Sequence, residues 1–258
     1  MTLERVLRAP PTPNEPDVIP QRQKCPYCNG AGYYKEAVSY GHPQFGKLFP
    51  CACKLAEREA YLKTSRIEIL SKLQNDLGGE LSLCRLETFN PDWGCDAASV
   101  ASLTYALSAA RDFLTDPRRW LYFYGPTGVG KSHLSAGIAL AYADSGQGRV
   151  AYASVGTLLR YVRSGYSDGS GDERLSALQV VELLVLDDLG SEYHKAGVED
   201  DHTDSLLFEL INERYNYARA TVISSNLELD SIEARVQSRI RGKARRIQVD
   251  NDDQRGRT

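Results

Sequence analysis

The residues G-P-T-G-V-G-K-S occupy Gly125, Pro126, Thr127, Gly128, Val129, Gly130, Lys131 and Ser132 and fill the pattern G-x-x-x-x-G-K-[ST] without a departure. Glycines at this spacing let the main chain fold into a nest of N–H groups at the positive end of the helix that follows, which is the chemistry of phosphate binding. In such a loop Lys131 reaches the β- and γ-phosphates and the Ser132 hydroxyl is a ligand for Mg²⁺. The context is the one the loop needs. An apolar run, W-L-Y-F-Y at 120–124, leads into it, and S-H-L-S-A-G-I-A-L-A-Y-A leads out as a helix. His133, directly after the pattern, is grouped with the loop as a cofactor-contacting position.

A second constellation is E-L-L-V-L-D-D-L-G at 182–190. Leu183 to Leu186 drive a buried strand whose carboxyl end carries Asp187 and Asp188, and ligands collect at that end of α/β sheets. Asp187 is placed to hold Mg²⁺, directly or through water, and Asp188 to orient an attacking water as a base. Two adjacent carboxylates on an apolar strand are costly unless a cation or hydrogen bonds compensate them. A third element, A-T-V-I-S-S-N, ends in Asn226, whose amide can hydrogen-bond a γ-phosphate or the lytic water. Together these predict ATP and Mg²⁺ as cofactors and ATP hydrolysis as the reaction.

The elements that must position these residues alternate along the chain. Apolar runs at 120–124, 149–154, 182–188 and 220–226 are continuous rather than alternating, as in a parallel sheet covered on both faces. Helical patterns lie near 98–115, 131–144, 155–165, 172–181 and 203–218. This alternation predicts an α/β fold, a three-layer αβα core with a parallel sheet. S-G-Y-S-D-G-S-G-D at 164–172 reads as a flexible loop by composition.

Residues 1–24, with five prolines, read as a disordered arm. Residues 25–53 hold C-x₂-C, a gap of 22 and C-x-C, so Cys25, Cys28, Cys51 and Cys53 can complete a tetrahedral Zn²⁺ site. His42 lies between the pairs and can replace one cysteine. So short a segment has little core of its own, and the metal would supply its stability. Cys84 and Cys95 are isolated and read as ordinary side chains. Residues 54–84 read as a charged helical connector, facing solvent or a partner and closed by Gly78–Gly79.

The whole chain, 258 residues with a formal net charge of −3, has no global attraction to nucleic acid, so any such contact must be local. No apolar run approaches the ~20 residues that span a bilayer. Nor is there the apolar stretch of a secretory signal, so a cytoplasmic location with no membrane partner is expected.

Within an expected ATPase domain at 85–258, residues 85–256 resemble the AAA+ family, in the branch of DnaC/DnaI-type replicative helicase loaders and the IstB transposition helper. The resemblance is carried by F-Y-G-P-T-G-V-G-K-S-H-L, L-L-V-L-D-D-L-G, the S-S-N-L after a short strand, E-A-R-V-Q-S-R-I, and L-E-T-F-N-P at 86–91 ahead of the core. It implies a P-loop core preceded by a small zinc-binding module, and self-association into a ring or spiral. In that assembly Arg239 is the finger supplied to the neighbour's ATP, with Arg235 as second choice. R-I-Q-V-D-N-D-D-Q-R resembles the family's terminal strand and turn, with Arg255 as a same-subunit phosphate sensor; the usual helical lid is absent. The family's helical insertion falls on V-G-T-L-L-R-Y-V-R-S-G-Y at 155–166, whose Arg160, Tyr161, Arg163 and Tyr166 suit backbone contact and base stacking on single-stranded DNA. Arg235–Arg246 holds five arginines and one lysine, a local positive patch. The function implied first is loading of a hexameric replicative helicase onto single-stranded DNA, with residues 25–82 contacting the helicase. An IstB-like helper on duplex DNA and a zinc-dependent adaptor that binds ATP with little turnover are the alternatives.

Overall fold

The computed structural model describes residues 28, 31–35, 38–40, 42–54, 69–70, 73–74, 76–190 and 201–253. Cys25, Arg255, the arm at 1–24 and residues 55–68, 71, 72 and 75 of the expected connector lie outside them. The described residues fall into two compact units, 28–54 and 69–253.

In the first unit β1 (Tyr33–Tyr34) pairs antiparallel with β2 (Phe49–Pro50), Tyr33 opposite Pro50. The Cys51 N–H donates to the Gly32 carbonyl at 2.8 Å, closing the ends of this ribbon.

The second unit is built on five parallel strands in the order β4-β5-β6-β3-β7: β3 (Trp120–Tyr124), β4 (Val150–Ser154), β5 (Leu183–Leu189), β6 (Ala220–Ser225) and β7 (Ala244–Gln248). Two apolar clusters, one on each face, bury the sheet. On one face Phe123, Tyr152, Val185 and Val222 meet α1 (Ala97–Thr115) and α2 (Lys131–Ser145). On the other, Tyr122, Ala153, Leu184 and Ile223 meet α3 (Val155–Ser164), α4 (Gly171–Val180), α5 (Asp201–Asn216) and α6 (Ala234–Lys243). This is the three-layer αβα arrangement expected from continuous apolar strands.

Three readings change. The segment at 164–172 is not a loose loop. The N–H groups of Ser170 and Gly171 donate to the Gly165 carbonyl at 2.7 and 3.0 Å, Asp168 Oδ1 accepts the Ser170 hydroxyl at 2.5 Å, and Gly171 already opens α4. Short polar side chains close turns locally, and composition does not register that. The connector is not solvent-facing throughout, since Leu73 is buried in the core of the second unit with Ile69, Leu70 and Leu77 against it. Finally, α6 has no counterpart among the helices expected from periodicity, because only Val236 and Ile240 of its residues are buried.

Arg214 ties the helical layer to the sheet. Its side chain is fully buried and its guanidinium donates to the carbonyls of Leu178, Gln179, Val181 and Ala220 and to the Thr221 hydroxyl. Burial pulls its pKa down, but a fork of carbonyl acceptors favours the cation.

Candidate nucleotide site

The loop from Gly125 to Gly130 joins the end of β3 to the start of α2, with Gly130 in a left-handed conformation at the helix N-cap. The chain after β7 runs along this loop. The Val249 N–H donates to the Tyr124 carbonyl at 2.8 Å, a Cβ on Gly125 would collide with the Val249 carbonyl oxygen, and one on Gly128 would collide with the Asp253 carboxylate. Both glycines also have positive φ, so backbone conformation favours glycine at each, and at Gly125 the approach of the Val249 main chain requires it a second time. Lys131 is 7% exposed and its ammonium donates to the Gly125 and Pro126 carbonyls at 2.8 and 2.5 Å.

Asp187, 8% exposed, stands on the same sheet face as α2, opposite Ser154 in register. Its Oδ1 accepts the Ser132 hydroxyl at 3.1 Å and the Ser224 hydroxyl, and its Oδ2 accepts the Tyr152 phenol at 2.7 Å. Burial and the neighbouring carboxylate push the Tyr152 pKa up, so the phenol is a proton donor in this contact. Ser132 and Asp187 therefore face one another at the distance that two oxygens of a shared cation site require, and their chemistry, a hydroxyl and a carboxylate, suits Mg²⁺. Asp188 sits where the β5–β6 register slips between Leu186 and Leu189, with φ of 59°. Bulges of this kind re-aim a side chain beside a site, and Asp tolerates the left-handed region better than most residues. Its main-chain N–H donates to Ser224 Oγ at 3.1 Å and its carboxylate accepts the Asn226 amide at 2.8 Å.

A cavity of about 620 Å³ opens above these groups. It is lined by the phosphate loop, Asp187, Asp188 and Asn226 together with Leu81, Phe89, Trp93 and Leu103. His133 is also among the lining residues. Its Nε2 lies 3.0 Å from the Arg85 carbonyl and its ring meets those of Phe89 and Trp93 edge-on, so it holds the 85–93 segment against α2. Asn251 also lines the cavity, with its amide accepting from Cys95 N–H and donating to the Trp93 carbonyl.

The structure thus brings together Lys131, Ser132, Asp187, Asp188 and Asn226. It does not bring Arg239 or Arg235 to the cavity of their own chain. Arg239 Nε donates to Asn212 Oδ1 at 2.8 Å with its guanidinium over Phe208 and Tyr215, and Arg235 pairs with Glu233 at 2.9 Å. Of the residues expected to meet single strands, Tyr161 is 9% exposed and packs under Arg174, so it is core, while Tyr166 is 43% exposed. Tyr152, Ser224, Phe89, Trp93 and Asn251 escaped sequence reasoning. Strand register alone brings Tyr152 and Ser224 to Asp187, and no local pattern encodes register.

The family model described as IstB-like ATP binding protein matches residues 88–244, from the cavity wall to the start of β7. The chain belongs to the IstB-like ATP-binding family. This IstB-like chain is 32% identical over 114 residues to an ATP-binding protein of an insertion sequence in Mycobacterium tuberculosis, covering 42% of this chain and 43% of that protein. It therefore spans less than half the length of that relative. With the replicative helicase loader DnaI of Bacillus subtilis it shares 24% identity over 226 residues, covering 84% of this chain and 68% of the loader. The crystal structure of the DnaC helicase loader superposes with a TM-score of 0.55 at 23% identity, over 67% of this chain and 100% of that one, which is a likeness of fold.

Among the described residues the IstB-like chain has one further cluster of metal-type donors. The thiols of Cys28, Cys51 and Cys53 lie within 4.8 Å of one another, and the Gly32 N–H donates to Cys28 Sγ at 3.3 Å. Three gathered thiols with a main-chain donor suit a zinc knuckle. His42 is exposed, with Nδ1 accepting the Gln44 N–H, and stands apart from them. No helix among the described residues is long and apolar enough to cross a membrane.

Proposed function

We propose that this chain is an ATPase that loads a hexameric replicative helicase onto single-stranded DNA. Lys131 and the main chain of residues 125–132 hold the triphosphate, and the face formed by Leu81, Phe89, Trp93 and Leu103 takes the base. Ser132 and Asp187 hold Mg²⁺, which when bound neutralises charge on the phosphates and polarises the bond that breaks. Asp188 accepts a proton from the attacking water and Asn226 fixes that carboxylate from the side. Arg239, outside its own cavity, is contributed to the site of an adjacent copy in a ring or spiral, with Arg235 as the second choice; Arg255 is a sensor in the same subunit. Cys28, Cys51 and Cys53, with Cys25 as fourth ligand, hold Zn²⁺, and the module they organise, with the connector behind it, contacts the helicase.

The observation that favours the loader is the extent of likeness. DnaI aligns along 84% of this chain, whereas the insertion-sequence relative aligns along only 42%. Steady-state phosphate release by the full chain tests the proposal. Wild type should turn over ATP, faster with single-stranded DNA than with duplex, and Lys131→Ala should abolish turnover. The family match supports a second reading, a transposition helper on duplex DNA. Assembly driven by duplex, with single strands inert, would establish that reading instead.

A further inference from the structure

We propose that Tyr152 is a positioning residue for the Asp187 carboxylate, and that its phenol makes nucleotide binding responsive to Mg²⁺. This rests on the reading of Asp187 and Ser132 as the Mg²⁺ side of the site.

Asp187 is held by three hydroxyls from three elements: Ser132 at the start of α2, Tyr152 in β4 and Ser224 in β6. They divide its oxygens unequally. Oδ1 faces Ser132 and Ser224, while Oδ2 is taken by the phenol alone, at 2.7 Å and out of solvent. The phenol therefore sets the rotation of the carboxylate and keeps Oδ1 turned toward the Ser132 hydroxyl. A carboxylate already turned toward its metal loses no torsional freedom on binding it, and outer partners of this kind are worth about 10–100-fold in metal affinity. The tyrosine ring is a separate contribution, since it packs in the core with Val150, Leu183 and Val185. Tyr152→Phe thus removes one O–H and leaves the packing in place. Tyr152 is not proposed to touch nucleotide or metal.

The experiment is equilibrium binding of a fluorescent ATP analogue, mant-ATP, to the full chain in EDTA and across a Mg²⁺ titration. For Y152F the affinity in EDTA should stay within about twofold of wild type, and the Mg²⁺ midpoint for tightened binding should rise about tenfold. A tyrosine that acts only through packing would move both conditions equally or neither, and either result overturns the proposal, as does a lowered midpoint. Circular dichroism checks the fold. If the phenylalanine protein does not fold, Y152M, which fills similar space without a donor, carries the same expectation. Failure of the underlying reading is distinguishable because it is visible without any Tyr152 variant: wild-type affinity would then be unmoved by Mg²⁺ or by Lys131→Ala.

Discussion

Asp187 and Asp188 are neighbours in sequence for which different tasks are proposed, and the backbone separates them. Asp187 continues the strand and turns into the face shared with α2; Asp188, at φ of 59°, leaves the ladder and turns toward Asn226. Asp188→Asn should keep nucleotide affinity, because nothing that holds the phosphates changes, while turnover falls by about 10²–10⁴-fold, the usual worth of a positioned base. Binding by fluorescence and phosphate release read the two halves of that prediction. Arg214 concerns stability rather than chemistry. Arg214→Met fits the space but strands buried carbonyls at 178, 181 and 220, and should cost about 3 kcal/mol in chemical denaturation.

At the scale of elements, β3, β4, β5 and β6 could be read within a residue or two, because continuous apolar runs in a parallel sheet are a strong local signal, whereas β7, A-R-R-I-Q, has no such run. The phosphate loop was equally plain, its eight residues being contiguous. What could not be read was whatever depends on which strand lies beside which. The order β4-β5-β6-β3-β7 puts Ser224 and Tyr152 on either side of Asp187, though they are 37 and 35 positions away along the chain. Helix α6 was missed for the opposite reason, a short element with too few buried residues to show a period. Caps sit between these cases. Asp96 Oδ1 accepts the Ser99 N–H at 2.8 Å at the head of α1, and that hydrogen bond holds its carboxyl below the usual range. A carboxylate with a depressed folded pKa adds stability above the unfolded pKa, and loses it as pH falls through the folded value. Asp96→Ala should therefore lower the melting temperature clearly at about pH 7 and by less at an acid pH low enough to begin protonating the folded carboxylate. Melting curves at the two pH values decide it.

On the scale of the whole molecule, two units draw stability from different sources. Residues 69–253 have a double-sided core, whereas residues 28–54 have a two-residue ribbon and a knot of thiols. Chelation by 1,10-phenanthroline should make the segment around 28–54 sensitive to protease while mant-ATP binding in Mg²⁺ is retained, and metal analysis should find one Zn²⁺ per chain that is lost in Cys53→Ser. Assembly makes a further prediction. If Arg239 serves an adjacent copy, R239A and K131A proteins, each inactive alone, should recover part of the wild-type turnover when mixed, since some interfaces then pair an intact finger with an intact loop. Mixtures that stay silent at every ratio would remove Arg239 from that role.

The backing of the phosphate loop by residues 249–253 also bears on the order of events during synthesis. Translation delivers Gly125–Ser132 more than a hundred residues before the stretch whose carbonyl and carboxylate lie against Gly125 and Gly128. A nascent chain thus exposes its loop with one wall missing until β7 has docked beside β3.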